Sequence, residues 1–159
     1  MQVLIDGDSC PRAVREVVAK AGRREGVPVT CFANRPIPFR ADLAITMEVV
    51  AATEGAADDA LVARALPGDL VVTRDIPLAS RLVELGVAVL NDRGALYTAE
   101  NIRERLSVRD FMAGLNAAGL KPESTAVYGK KEWDRFVRTF DATFMTLVRL
   151  TSRRGSSTS

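Results

Sequence analysis

The sequence contains no histidine, and that one absence removes whole classes of chemistry. Ser-His-Asp triads, Cys-His pairs, HExxH zinc sites and imidazole acid–base catalysis are excluded. Any catalysis has to run on carboxylates, a backbone site, a bound metal or a cofactor. Cysteine is scarce as well: Cys10 and Cys31 form no CxxC pair. Nothing at the N-terminus reads as a secretory signal, so both are expected as reduced thiols in a cytoplasmic protein. Cys10 stands before Pro11 where a helix should start, a position that can lower a thiol pKa. No base is at hand to activate it, so a small packed residue is the expectation. Long apolar runs are missing too, and none approaches the roughly 18 residues a bilayer span needs.

What remains is 159 residues, 47% hydrophobic and 26% charged. That suits one soluble domain with its own core, without metals or disulfides as staples. The domain is expected over residues 1–150, followed by a disordered polar tail over 151–159 (TSRRGSSTS). No internal repeat or second domain is evident, and a homo-oligomer is left open. Residues 1–100 carry 14 acidic against 11 basic side chains, and residues 101–159 carry 6 against 11. The basic C-terminal part suits either a phosphate backbone or solvated helix surface.

Along the chain, Val3-Leu4-Ile5 reads as a buried strand ending in the turn Asp6-Gly7-Asp8. Ser9-Cys10-Pro11 reads as a helix start with Ser9 as N-cap. Strands are expected at 28–33, 43–50, 70–73 and 87–90, with helices after Asp59 and from Ile76 to about Leu85. Short apolar strands alternating with helices predict an α/β fold, a mainly parallel sheet flanked by helices. From Thr98 the pattern is helical only. One helix carries Ile102, Leu106, Phe111 and Leu115 on one side, and a final helix runs from about Lys130 to Leu150. Its stripe of Trp133, Phe136, Val137, Phe140, Phe144 and Leu147 is expected as core. Lys130 and Lys131 are badly placed for the helix dipole, so they face either a polyanion or solvent.

The informative feature is where the aspartates fall. Asp6 and Asp8 follow the first strand, Asp58 and Asp59 precede a helix, and Asp75 follows the 70–73 strand. In open parallel sheets the ligand crevice lies beyond the carboxyl ends of strands. Gly7 would let backbone or substrate approach closely. Several carboxylates in one crevice repel, so either some stay protonated or a divalent cation neutralises them. Hard oxygen ligands suit Mg²⁺ or Mn²⁺, and the chemistry favoured is metal-assisted attack of water on a phosphodiester. Each of Asp8, Asp58, Asp59 and Asp75 also suits a simple helix cap.

Four blocks of the sequence, DGDSCP (6–11), ADDALVARA (57–65), PGDLVVTRDIPLA (67–79) and NDRGALYTAENIRERL (91–106), closely resemble the YaiI/YqxD family of bacterial proteins. The resemblance is dense to about residue 112 and looser to about 148. That family is similar in fold to PIN-like nucleases, which implies a three-layer α/β/α domain with C-terminal helices. Carried over residue by residue, the PIN-type acidic set falls on Asp6, Asp59 and Asp75, with Asp8 and Asp58 as additional metal-site carboxylates. A further acidic residue usual in PIN nucleases has Glu48 and Glu54 as candidates, neither in a clear motif. Asp92 stands where the family block usually has proline, which reads as a harmless turn variation. Asn91, Arg93, Gly94 and Asn101 belong to the same block, with Asn91 and Arg93 as candidate phosphate or substrate contacts. Arg93-Gly94 suits either a phosphate site near the Thr98 helix or a turn followed by a cap. Asn34 and Arg35, after the second strand, are open in the same way, and Arg74 joins them as a candidate phosphate contact.

Three functions compete. The first is a Mg²⁺- or Mn²⁺-dependent phosphodiester hydrolase acting on nucleic acid, RNA in preference to DNA. The second is a non-catalytic PIN-like module binding nucleic acid or a nucleotide. The third is a haloacid-dehalogenase-like phosphatase using Asp6 and Asp8. It wants a lysine near the phosphate, and the only lysines are Lys20, Lys121, Lys130 and Lys131.

Overall fold

Val3–Asp6 forms β1 and Arg12–Glu25 forms α1, followed by β2 (Val29–Ala33) and β3 (Ile45–Val49). Then come α2 (Ala56–Arg64), β4 (Leu70–Val72), α3 (Ile76–Glu84), β5 (Ala88–Leu90) and β6 (Leu96–Tyr97). Helices α4 (Ile102–Ala117) and α5 (Lys130–Ser156) complete the chain. The computed structural model describes residues 1–120 and 127–157. No helix among them is long and apolar enough to cross a membrane.

The sheet order is β3-β2-β1-β4-β5-β6, with β1 to β5 parallel and β6 antiparallel to β5. This is the expected single α/β domain. After β3 the chain crosses back past β1 and continues on its other side, so the winding reverses between β1 and β4. That reversal opens a crevice at the strands' carboxyl ends.

Period-two alternation along the strands separates two cores. Val3, Ile5, Val29, Cys31, Leu70 and Val72 pack on one face with Val14 and Val18 of α1 and Phe136, Phe140 and Phe144 of α5. Leu4, Phe32, Val71 and Val89 pack on the other with Leu61 of α2 and Leu78 and Leu82 of α3. The aromatic stripe of α5 is therefore core, as expected, with Phe140 centred 5.6 Å from Phe136 and 5.3 Å from Phe144.

Several local expectations change. Ser9 does not cap α1: Pro11 holds the N-cap position without a side-chain bond, and Ser9 is used elsewhere. Helix α4 packs on α3 and gives only Ile102 to the core, while Phe111 is 65% exposed. Its apolar spacing suggested a buried face because periodicity reports amphipathicity and not what covers it. Helix α5 continues through residues 151–156, where a disordered tail was expected to begin. Its four hydroxyl residues from Thr146 to Ser156 bond back to carbonyls one turn earlier and so stay compatible with helix. Residues 158 and 159 of that tail, and Lys121, lie outside the described residues.

Gly94 has φ +83°, and a Cβ there would lie 2.7 Å from the Arg135 backbone. Only glycine lets the 91–97 turn sit against α5. Gly7 is constrained by its neighbours and not by a ligand. A Cβ on it would lie 2.6 Å from Cys31 Sγ and 3.0 Å from the Phe32 carbonyl.

Candidate functional site

Pairing Ile5 with Val72 places the next residues, Asp6 and Thr73, side by side at the switch point. Thr73 Oγ1 donates to Asp6 Oδ2 at 2.8 Å, and Ser9 Oγ donates to the same oxygen at 2.9 Å. Ser9 Oγ in turn accepts the Arg74 amide at 3.1 Å, and Thr73 Oγ1 accepts the Asp75 amide at 3.0 Å. The turns after β1 and β4 are thus tied into one unit, with Asp6 buried at its centre. Asp6 Oδ1 takes part in none of these bonds.

Around this unit lies a cavity of about 520 Å³ walled by Asp6, Asp8, Asp58, Arg74, Asp75 and Arg109, with Ser9 and Ile76. Burial raises the Asp6 pKa; the Thr73 and Ser9 hydrogen bonds oppose it, and the charges of Asp75 and Asp8 push the same way as burial. Asp58 is pushed up to about 6 by burial and by the charges of Asp75 and Asp6, against Arg81. Asp6 therefore feels the charges of Asp75 and Asp8, and Asp58 those of Asp75 and Asp6. Among the described residues, no three acidic or thiol side chains stand close enough together to enclose a metal ion as placed. The donor set is nevertheless all hard oxygen, which fits a cation that keeps much of its water.

The expected residues fall into groups. Asp6, Asp8, Asp58 and Asp75 share the cavity. Asp75 also caps α3, its Oδ1 accepting the Leu78 amide at 3.0 Å, so the cap and the site use one residue. Asp59, one position on from Asp58 in α2, is exposed and pairs with Arg81 at 2.9 Å. Successive helical residues point about 100° apart, so only one of the pair can face the crevice. Glu48 pairs with Arg64 at 3.5 Å and, like exposed Glu54, does not line the cavity.

The 91–97 block is mainly structural. Asn91 is buried; its Oδ1 accepts the amides of Arg93 and Ala95, and its Nδ2 donates to Tyr97 Oη. Asn101 exchanges bonds with Thr98 and donates to the Leu96 carbonyl. Arg93 lies over the Tyr128 ring, 5.6 Å from its centre. Asn34 and Arg35 are exposed, and Arg35 lines a neighbouring cavity.

Asp92 is not a harmless variation. It is 1% exposed and grips Arg74 with both oxygens, one bond to Nε at 3.3 Å and a shorter one to Nη2. Its carbonyl accepts Tyr128 Oη at 2.9 Å. Arg74 therefore lines the cavity with its guanidinium already engaged. Arg109 reaches the cavity from α4 and pairs at 3.5 Å with its neighbour Asp110. It also lines a groove of about 690 Å³ along α4 with Arg105, Val108 and Met112. No sequence signal pointed to Arg109, whose place depends on how α4 docks on α3. Cys10 and Cys31 are buried, and burial raises both thiol pKa values, Cys31 to about 12. A nucleophilic Cys10 is thereby disfavoured.

The fold and the cavity together define a doubly wound α/β protein with an acidic crevice at its switch point. The chain belongs to the YaiI/YqxD family, for the family model described as "Uncharacterized BCR, YaiI/YqxD family" matches residues 4–146. It is 46% identical over 158 residues to a UPF0178 protein of Treponema pallidum (strain Nichols), covering 99% of this chain and 89% of that one. A UPF0178 protein of Treponema denticola is 46% identical over 144 residues (89% and 90% covered). One from Halorhodospira halophila is 41% identical over 141 residues (89% and 93% covered). No solved structure shows a significant match.

Proposed function

We propose that this protein is a divalent-metal-dependent phosphodiester hydrolase acting on nucleic acid, with RNA preferred over DNA. The observation that carries the reading is the convergence of Asp6, Asp8, Asp58 and Asp75 on one cavity at the switch point, with Asp6 and Asp58 both driven toward the proton-bound form. Carboxylates that repel one another gain most from a cation. Asp6 Oδ1, Asp8, Asp58 and Asp75 would hold Mg²⁺ or Mn²⁺, which supplies a more acidic water and charge at the leaving oxygen. Ser9 and Thr73 fix the Asp6 carboxylate by holding Oδ2, leaving Oδ1 for the crevice. Asp58, pushed up to about 6 by burial and by the charges of Asp75 and Asp6, is a carboxylate whose ionised form a bound cation would favour. Arg109 brings positive charge to the rim for a substrate phosphate.

The test is a calorimetric Mn²⁺ titration of the wild type beside an Asp6→Asn, Asp75→Asn double variant, followed by cleavage assays on single-stranded RNA and DNA. Asparagine caps helices about as well as aspartate, so α3 keeps its start while ligand charge is lost. Mn²⁺ binding and cleavage by the wild type, both absent from the variant, are expected. Failure of the wild type to bind Mn²⁺ even with oligonucleotide present sinks the reading.

The open geometry of the carboxylates favours one second reading, a module that binds nucleic acid or a nucleotide without cutting it. Oligonucleotide affinity that survives chelation, with no cleavage, would select it. The phosphatase reading fits less well. Among the described residues the cations at the cavity are Arg74 and Arg109, and no lysine lines it.

A further inference from the structure

We propose that the cavity on the far side of the Asp6–Asp8 turn is an oxyanion subsite that takes a phosphate group through Arg15 and Arg35. It holds about 390 Å³ between Gly7, Asp8, Cys10, Arg15, Arg35 and the 36–38 loop, and it shares the Asp8 wall with the acidic cavity.

Arg15 is held in place at one end. Its Nη1 donates to the Cys10 carbonyl at 2.8 Å and to the Gly7 carbonyl at 3.4 Å, and its guanidinium lies 5.8 Å from the centre of the Phe39 ring. Nε is buried and meets no acceptor, and among the described residues both hydrogen bonds of the side chain come from Nη1. A guanidinium carries donors beyond those two bonds, and they suit the oxygens of an oxyanion. A half-buried cation with unused donors is costly unless an anion comes to it.

The neighbouring arginines differ in this respect. Arg12 pairs with Glu16 at 3.1 Å and Arg40 binds Asp42 through two nitrogens. Among the described residues, no carboxylate lies within ion-pair distance of Arg15 or Arg35. Two cations without acidic partners facing one polar cavity suit a phosphate group better than a neutral ligand. Asp8 faces both cavities, so a cation at the carboxylates and an anion at the arginines each lower the cost of the other. In the hydrolase, and resting on that reading, the subsite holds a substrate phosphate next to the one placed at the carboxylates.

The experiment is an NMR titration of ¹⁵N-labelled protein with inorganic phosphate in the presence of chelator, following the arginine Nε–Hε resonances. Saturable shifts confined to Arg15 and Arg35 are expected. Arg35→Ala should weaken binding about tenfold, as expected for loss of one charge-assisted contact. Arg15→Lys should remove the saturable component, and Arg24→Ala should change nothing. Arg35 is an exposed loop residue, so its variant decides the matter even if Arg15→Lys fails to fold. Unsaturable shifts spread over all surface arginines, or unchanged affinity in Arg35→Ala, overturn the subsite. Phosphate binding without Mn²⁺-dependent cleavage keeps the subsite and removes the hydrolase. Cleavage without phosphate binding does the reverse.

Discussion

Replacing Asp58 by asparagine should make the protein more stable and, at the same time, poorer at holding a cation. Asp58 is half-buried near Asp75 and Asp6, and its pKa rises to about 6 from a reference of 3.8. Below pH 4 the carboxyl is protonated in folded and unfolded chains alike and has no effect on stability. Between about pH 4 and 6 the folded chain keeps the proton that the unfolded chain releases, so stability falls as pH rises. Above pH 6 the whole penalty is present. A shift of that size corresponds to about 3 kcal/mol. Solvent screening of a partly exposed group reduces it to about 1–2 kcal/mol. Asparagine removes the charge and keeps the shape, so Asp58→Asn should raise Tm at pH 7 by about 3–6 °C. The gain should vanish at pH 4. Saturating Mn²⁺ should stabilise the wild type more than the variant, by mass action. Differential scanning calorimetry at both pH values, with and without Mn²⁺, reads all of this. Equal Tm values at pH 7, or a variant that gains as much from Mn²⁺ as the wild type, would refute the reasoning.

Two further outcomes follow from the geometry. Arg74→Ala leaves Asp92 buried without its counter-ion and should cost about 2 kcal/mol in urea unfolding, less than a fully buried pair because Arg74 is half-exposed. Adding Asp92→Ala should recover part of that loss, and simple additivity would argue against a direct pair. Iodoacetamide should leave Cys10 and Cys31 unmodified in the native protein and alkylate both in urea; rapid native alkylation would contradict their burial.

The parallel sheet was legible because each strand is a short run of β-branched and aliphatic residues closed by a turn signal, as in Leu70-Val71-Val72 before Thr73. Asp6 and Asp75 were legible for the same reason, since a residue at the carboxyl end of a buried strand in such a sheet faces the crevice. The choice between Asp58 and Asp59 was not, because one residue of helical phase decides it and the phase is set where α2 meets the sheet. Asn91 was a candidate phosphate contact because it stands in the family block, yet its side chain serves a tight turn whose amides need acceptors. Asp92 and Arg74 lie 18 residues apart and find each other only once β4 and β5 are paired. Arg109 was invisible because α4 docks through tertiary packing that its own periodicity misstates.

The position of β1 in the middle of the sheet also sets an order of events. β1 is flanked by β2 on one side and by β4 on the other, and Asp6 meets its partner Thr73 across 67 residues of chain. Contacts of that span form late and slowly, after loop closure has been overcome. During synthesis β1 can pair with β2 early, but its other edge stays open until β4 has emerged. The acidic crevice therefore cannot exist on a nascent chain that stops short of β4, and its completion doubles as a report that the two halves of the sheet have joined.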